Sequence, residues 1–179
     1  MTKQLIRSKI LNRLRTQKEE ERSRKSKLVE LKLFRALVFK KAKIVMFYIA
    51  FGGEVQTKEM IKEARKLGKI IAVPVCKNGG LIMPVLLKEA DRLKNGLYGV
   101  CVPTIEEKIK LTDIDLVVVP GVAFSKSGRR LGRGKGYYDR FLNRLPKDTP
   151  SVGLAFDFQI LPKVPTSAGD VAVKKVLFA

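Results

Sequence analysis

Apolar residues recur at helical spacing through the first forty positions of the chain. Ile6, Ile10 and Leu14 share one face, and Leu28, Leu31, Phe34 and Val38 continue the period with no glycine or proline between them. The spacing predicts helix over residues 2–40, as two helices broken near 16–23. The pattern then changes to short apolar runs. KIVMFYIAF (43–51) is rich in β-branched and aromatic residues and stops at Gly52-Gly53, which predicts a buried strand. Thr57 is the expected N-cap of a helix running through Leu67 and stopping at Gly68,. KIIAVPV (69–75), DLVVVPG (115–121), SVGLAF (151–156) and VAVKKVLF (171–178) read as further strands,. LIMPVL (81–86) reads as an edge strand, because Pro84 cannot donate to a central ladder,. A helix is expected over 137–145, with Phe141, Leu142 and Leu145 on its apolar side. Residues 87–114 show no period that organises them.

Alternating strands and helices predict an α/β fold with a largely parallel sheet. At 179 residues the chain has room for one sizeable core and too little for two. No apolar run nears the roughly 18 residues that a membrane helix needs, so no membrane partner is expected. The N-terminus carries a cation every few residues and no apolar stretch of signal-peptide kind, and Glu19, Glu20 and Glu21 argue against a transit peptide,. Cys76 and Cys101 stand far apart and form no CxxC pair, so a reduced, cytoplasmic setting is expected. Histidine is absent, which excludes zinc hydrolysis and Ser-His-Asp chemistry.

Charge alters this picture most. The formal net charge is +20. Residues 1–43 hold 15 Lys/Arg against 4 acids (15 − 4 = +11), and residues 126–147 hold 8 against 1 (8 − 1 = +7), so two segments carry 18 of the 20 charges. Such a balance points to a polyanion such as RNA, or to a solvated basic surface. On a helical wheel, however, Lys3 and Arg7 fall inside the arc of Ile6, Ile10, Leu11 and Leu14,. A desolvated cation needs a partner. Lys3, near the chain end, can snorkel to water, whereas Arg7 is expected to meet an anion, either a protein carboxylate or a ligand phosphate.

The second basic segment contains RLGRGKGYYDR (130–140). Glycine at 132, 134 and 136 lets the backbone approach a ligand and turn its N–H groups toward an anion,. A strand precedes this loop and a helix N-terminus follows it, and Arg129, Arg130, Arg133 and Lys135 surround it. Together these features favour a phosphate site over a surface turn. The spacing is neither a Walker A loop nor GxGxxG. Asp139 is either a helix-dipole partner or a Mg²⁺ ligand beside phosphates. Tyr137 and Tyr138 cannot both face inward, which leaves one to stack on a planar ring. Glu54, in GGEVQT, is either an exposed loop acid or an acceptor for amino and ring N–H groups.

The run VVVPGVAFSKSGRRLGRGKGYYDRFL (117–142) closely resembles the signature of the 5-formyltetrahydrofolate cyclo-ligase (5,10-methenyltetrahydrofolate synthetase) family. KQLIR (3–7), the segment through GGEVQT (48–57), YGVCVP (98–103) and VPTSAGDVAVKKVLF (164–178) extend the likeness over nearly the whole chain. The resemblance implies a single three-layer α/β domain over 1–179, with a twisted sheet flanked by helices, Rossmann-like and similar to coenzyme A transferases. It implies ATP- and Mg²⁺-dependent cyclisation of 5-formyltetrahydrofolate to 5,10-methenyltetrahydrofolate, through a formyl oxygen phosphorylated to an iminium phosphate, with release of ADP and phosphate. By position it implies ATP contacts from Lys3, Arg7, Arg130, Leu131, Gly132, Arg133, Gly134, Lys135, Gly136, Tyr137 and Tyr138. Folate contacts are implied for Ile49, Glu54 and residues 133–137, catalytic roles for Arg133 and Lys135, and Mg²⁺ ligation for Asp139 and Asp170. A monomer without obligate nucleic acid is the expectation that goes with it. Ser125, Lys174 and Cys101-Val102 stand where the family usually carries acids, which leaves fewer carboxylates near the site.

Overall fold

The computed structural model describes residues 2–179, with Tyr98 by its backbone alone, so that side chain of the 98–103 segment lies outside the described residues. The chain begins with helices α1 (Lys3–Thr16), α2 (Glu19–Arg35) and α3 (Leu37–Lys41), followed by β1 (Ile44–Met46), α4 (Lys58–Lys66), β2 (Ile70–Lys77) and β3 (Leu81–Leu86). It continues with β4 (Leu93–Asn95), β5 (Cys101–Pro103), β6 (Leu116–Val119), β7 (Ala123–Phe124), β8 (Arg130–Leu131), α5 (Tyr137–Arg144), β9 (Ser151–Ala155) and β10 (Lys175–Phe178). Among the described residues no helix is long and apolar enough to cross a membrane.

Six strands form one sheet in the order β10-β9-β6-β1-β2-β3. The first five run parallel, with Val45 opposite both Ile71 and Leu116, Val118 opposite Val152 and Leu154 opposite Leu177. Only β3 is antiparallel, and it closes the edge with Pro84 opposite Pro74. The strands bury both faces. Val45, Phe47, Ile71, Val73, Leu116 and Val118 pack with α1–α4 on one side, while Met46, Ala72, Val117 and Val119 pack with Phe141 and Leu145 at α5 on the other. The two-residue strand period thus divides continuous apolar runs between two cores and produces the three layers.

Three local expectations change. The 2–40 helix breaks twice, at Gln17-Lys18 and again at Ala36, where the backbone turns extended. In α2 the buried face is Ser26, Val29, Glu30 and Leu33, while Leu28 and Leu31 are 40% and 41% exposed. Two polar residues are tolerated inside because Ser26 Oγ accepts from Gln56 N at 3.0 Å and Lys27 pairs with Glu30. Thr57 precedes α4 but does not cap it. Its hydroxyl donates to Tyr48 O at 2.7 Å and accepts from Ala50 N at 3.2 Å, tying down the extended segment after β1. Residues 87–114 form the β4-β5 ribbon and short helical turns, including Leu97–Gly99.

Phe124 shows how tightly the second core is filled. A Cβ placed on Gly153, in the middle of β9, would stand 2.5 Å from the Phe124 ring, and one on Gly121 would stand equally close. Overfilling a packed core typically costs 1–3 kcal/mol. Gly153→Ala is therefore expected to lower stability by about 2 kcal/mol, read as a fall in melting temperature of roughly 4–8 °C. An unchanged melting curve would show that Phe124 has room to move.

Candidate functional site

Three parallel strands end at one place. Beyond β1, the extended Phe47–Phe51 segment carries Ile49 and leads to Glu54; β2 carries Cys76 just before its last residue, Lys77, and β6 leads into Pro120-Gly121. With Leu97, Val100 and Val102 from the 87–114 region and the glycine loop 132–136, these residues enclose a cavity of about 340 Å³, within the size range of small-molecule sites. Its walls are mainly apolar. The location, outside the carboxyl ends of parallel strands, is where open α/β sheets bind ligands.

The loop is built by its arginines as much as by its glycines. Arg130, with a side chain only 3% exposed, donates from Nη2 to Asp139 Oδ1 at 2.7 Å. The same oxygen accepts Val171 N at 3.1 Å, joining β8, α5 and the closing segment. A Cβ on Gly132 would stand 2.9 Å from Arg130 Nη1, so this glycine makes room for a protein cation. Gly136 adopts φ +68° directly before α5, a conformation other residues reach only with strain. Arg7 Nε donates to Gly132 O at 2.9 Å from 125 residues away. The cation expected to meet an anion thus meets a loop carbonyl and braces the loop from α1.

Acids and bases pair across the site. Lys3 Nζ lies 2.5 Å from Asp170 Oδ2 and 2.7 Å from Ser167 Oγ, so Lys3 has a carboxylate partner and does not merely snorkel. Burial alone would raise the Asp170 pKa, but Lys3 and the Ser167 N–H hold it below the ordinary value. Glu54 is buried at 6% exposure and takes Arg133 Nη2 at 2.9 Å and Phe51 N at 3.3 Å. Burial raises its pKa, with Arg133 opposing. Arg133 also lies over the Phe51 ring, 4.1 Å from its centroid. Each acid that the sequence offered to folate or metal therefore holds a cation that the sequence offered to ATP.

The remaining candidates divide clearly. Ile49, Glu54, Gly132, Arg133, Lys135, Gly136, Tyr137, Tyr138 and Asp139 line the cavity. Leu131 is core, while Gly134 faces Arg7. Both tyrosines pack against the core, contrary to the expectation that only one faces inward, because positions 100° apart at the start of one helix both lie over the cavity. Ser125 accepts Arg129 N at 3.1 Å in a turn, and Lys174 reaches Lys147 O at 2.6 Å, so neither departure from the family pattern lies on the cavity wall. The apolar wall of Tyr48, Pro74, Leu97, Val100 and Val102 was missed by sequence reasoning. Its only sequence signal was the apolar character of YGVCVP.

Carboxylate oxygens suit Mg²⁺ that arrives with phosphates. Among the described residues no group of three or more potential ligands forms a protein cage. Among the described residues Asp139 accepts through Oδ1 and Asp170 through Oδ2, and the second oxygen of each has no hydrogen-bond partner there. The two residues fit the role of magnesium ligands.

Losing Asp139 would strand a buried guanidinium, and Arg130 Nε already has no hydrogen-bond partner among the described residues. Breaking a buried pair from one side costs about 3–5 kcal/mol. Asp139→Ala is expected to lower the melting temperature of the ligand-free protein by roughly 10 °C. An unaltered melting temperature would show that the pair contributes no stability.

The model of the 5-formyltetrahydrofolate cyclo-ligase family matches residues 1–179. A probable 5-formyltetrahydrofolate cyclo-ligase of Caenorhabditis elegans is 33% identical over 89% of this chain and 84% of its own length. The 5-formyltetrahydrofolate cyclo-ligase of Mus musculus is 31% identical over 97% of this chain and 91% of its own. The solved structure of the 5,10-methenyltetrahydrofolate synthetase of Aquifex aeolicus superposes with a TM-score of 0.87 at 36% identity, covering 99% of this chain and 90% of that one. The chain belongs to the 5-formyltetrahydrofolate cyclo-ligase family.

Proposed function

We propose that this protein cyclises 5-formyltetrahydrofolate to 5,10-methenyltetrahydrofolate, consuming ATP with Mg²⁺ and releasing ADP and phosphate. The observation that carries the reading is the mainly apolar cavity with a buried carboxylate, Glu54, at one wall and a basic glycine loop at another. A flat, apolar ring with N–H donors suits the first wall, and phosphates suit the second.

The formyl oxygen is a poor leaving group. Transfer of the terminal phosphoryl group of ATP to that oxygen gives an iminium phosphate and ADP. The N10 amine then bonds to the formyl carbon, phosphate leaves with the oxygen, and N10 gives up its proton. Such a sequence asks the protein for alignment and charge stabilisation more than for a strong base, which a chain without histidine can supply. Glu54 accepts the N–H groups of the pterin and fixes its orientation. Arg133, whose side chain is 35% exposed at the cavity wall, exchanges Glu54 for the transferring phosphoryl group as the folate arrives. Lys135 and the N–H groups at the start of α5 hold the remaining phosphate charge. Asp139 and Asp170 would hold the magnesium ion, which supplies further neutralisation of the phosphates.

Purified protein with saturating 5-formyltetrahydrofolate and MgATP is expected to generate the absorbance of the methenyl product, dependent on both. No growth of that absorbance overturns the reading. Arg133→Ala is expected to lower kcat roughly 100-fold or more, with a smaller fall in melting temperature than Asp139→Ala, because Arg133 is 35% exposed and the buried Glu54 keeps the Phe51 N–H. Near-wild-type turnover in that variant would remove Arg133 from the chemistry.

A further inference from the structure

Tyr138 is left over by the roles assigned above. It leaves the first turn of α5, and its ring packs against both cores. The ring lies edge-on to Phe141, with centroids 6.3 Å apart, and the Arg130 guanidinium sits 5.7 Å from its centre. Its hydroxyl oxygen Oη is buried and has no hydrogen-bond partner among the described residues. Native structures pair nearly all such groups. The other two tyrosines of the cavity wall are satisfied by protein: Tyr48 donates to Val55 O at 3.0 Å and Tyr137 to Lys77 O at 3.3 Å.

The surroundings define what this hydroxyl offers. Tyr138 shares the cavity with Glu54 and Cys76, both within electrostatic reach of the phenol. A tyrosine hydroxyl carries its proton at neutral pH, so Oη can donate. Glu54, a buried acceptor, and Tyr138, whose buried hydroxyl has no partner among the described residues, therefore line one cavity. A pterin presents the complement, with N–H donors on one edge and a ring carbonyl, neighboured by the N5-formyl oxygen, on another.

Resting on the folate reading of the cavity, we infer that Tyr138 Oη contacts the substrate, donating a hydrogen bond to a carbonyl oxygen at its pterin end. The family resemblance groups Tyr138 with the nucleotide, whereas its hydroxyl belongs here to the folate pocket and determines affinity for that substrate.

The test uses the full-length protein, titrated calorimetrically without nucleotide against 5-formyltetrahydrofolate and against tetrahydrofolate, and separately against MgATP. Tyr138→Phe keeps the ring and removes only the hydroxyl. It is expected to weaken 5-formyltetrahydrofolate roughly tenfold, to leave MgATP affinity unchanged, and to melt no lower than wild type, because no partner among the described residues is lost. Equal weakening of tetrahydrofolate assigns the bond to the ring carbonyl, and weakening of the formylated compound alone assigns it to the formyl oxygen; either supports the inference. Unchanged folate affinity, with or without a lower melting temperature, overturns it, as does a loss confined to MgATP. A wild-type protein that binds no folate overturns the reading of the cavity and this inference with it. Tight folate binding by both proteins leaves that reading standing and removes Tyr138 alone.

Discussion

A guanidinium with only 3% of its side chain exposed cannot be left unpaired, and the site is assembled around that constraint. Arg130 meets Asp139 at 2.7 Å, and through Asp139 it fixes the first turn of α5 and the backbone of Val171. A Cβ at position 132 would crowd the Nη1 of Arg130. Burying an ion pair is costly unless its geometry and further hydrogen bonds repay the desolvation. The return here is positional: strand, helix and closing segment are held in one arrangement, and the glycine loop inherits its shape from them.

Pairing extends to the other charges of the site. Lys3 with Asp170 and Arg133 with Glu54 repeat the logic, so the acids and bases suited to ligands neutralise one another within the ligand-free fold. Partner exchange then becomes the natural mode of binding. In the proposed reaction a phosphate would draw cations from the carboxylates, which would then be available to ring N–H groups and to metal. The large positive charge of the N-terminal segment has a plainer reading. Of its cations, Arg7 braces the glycine loop and Lys3 pairs with Asp170, while Lys9, Arg13, Arg15, Lys18 and Arg24 are exposed to water.

Local chemistry made much of the molecule legible. Continuous apolar runs announced strands buried on both faces, Pro84 announced an edge, and the spacing of glycines and cations announced a loop for anions. The wheel placed Lys3 and Arg7 on a face where cations do not belong, and both reach across to the site. The face of α2 was misread because the core accepted Ser26 and Glu30 in preference to Leu28 and Leu31, a choice that depends on partners at Gln56 and Lys27. Thr57 looked like a cap because the competing acceptor, Tyr48 O, belongs to another element.

The sequence by itself determined the alternation of strands and helices, the loop and the family, since periodicity and motif are properties of neighbouring residues. Tertiary structure alone decided which charge meets which. Arg133 and Glu54 are 79 residues apart, Arg7 and Gly132 125, and Lys3 and Asp170 167, and no local pattern encodes such pairs. It also decided that Leu97, Val100 and Val102, which follow no period in the sequence, wall the cavity, because their packing is set by the strands beneath them. The hydroxyl of Tyr138, without a partner among the described residues, is of the same kind, since only the packed chain defines which groups meet.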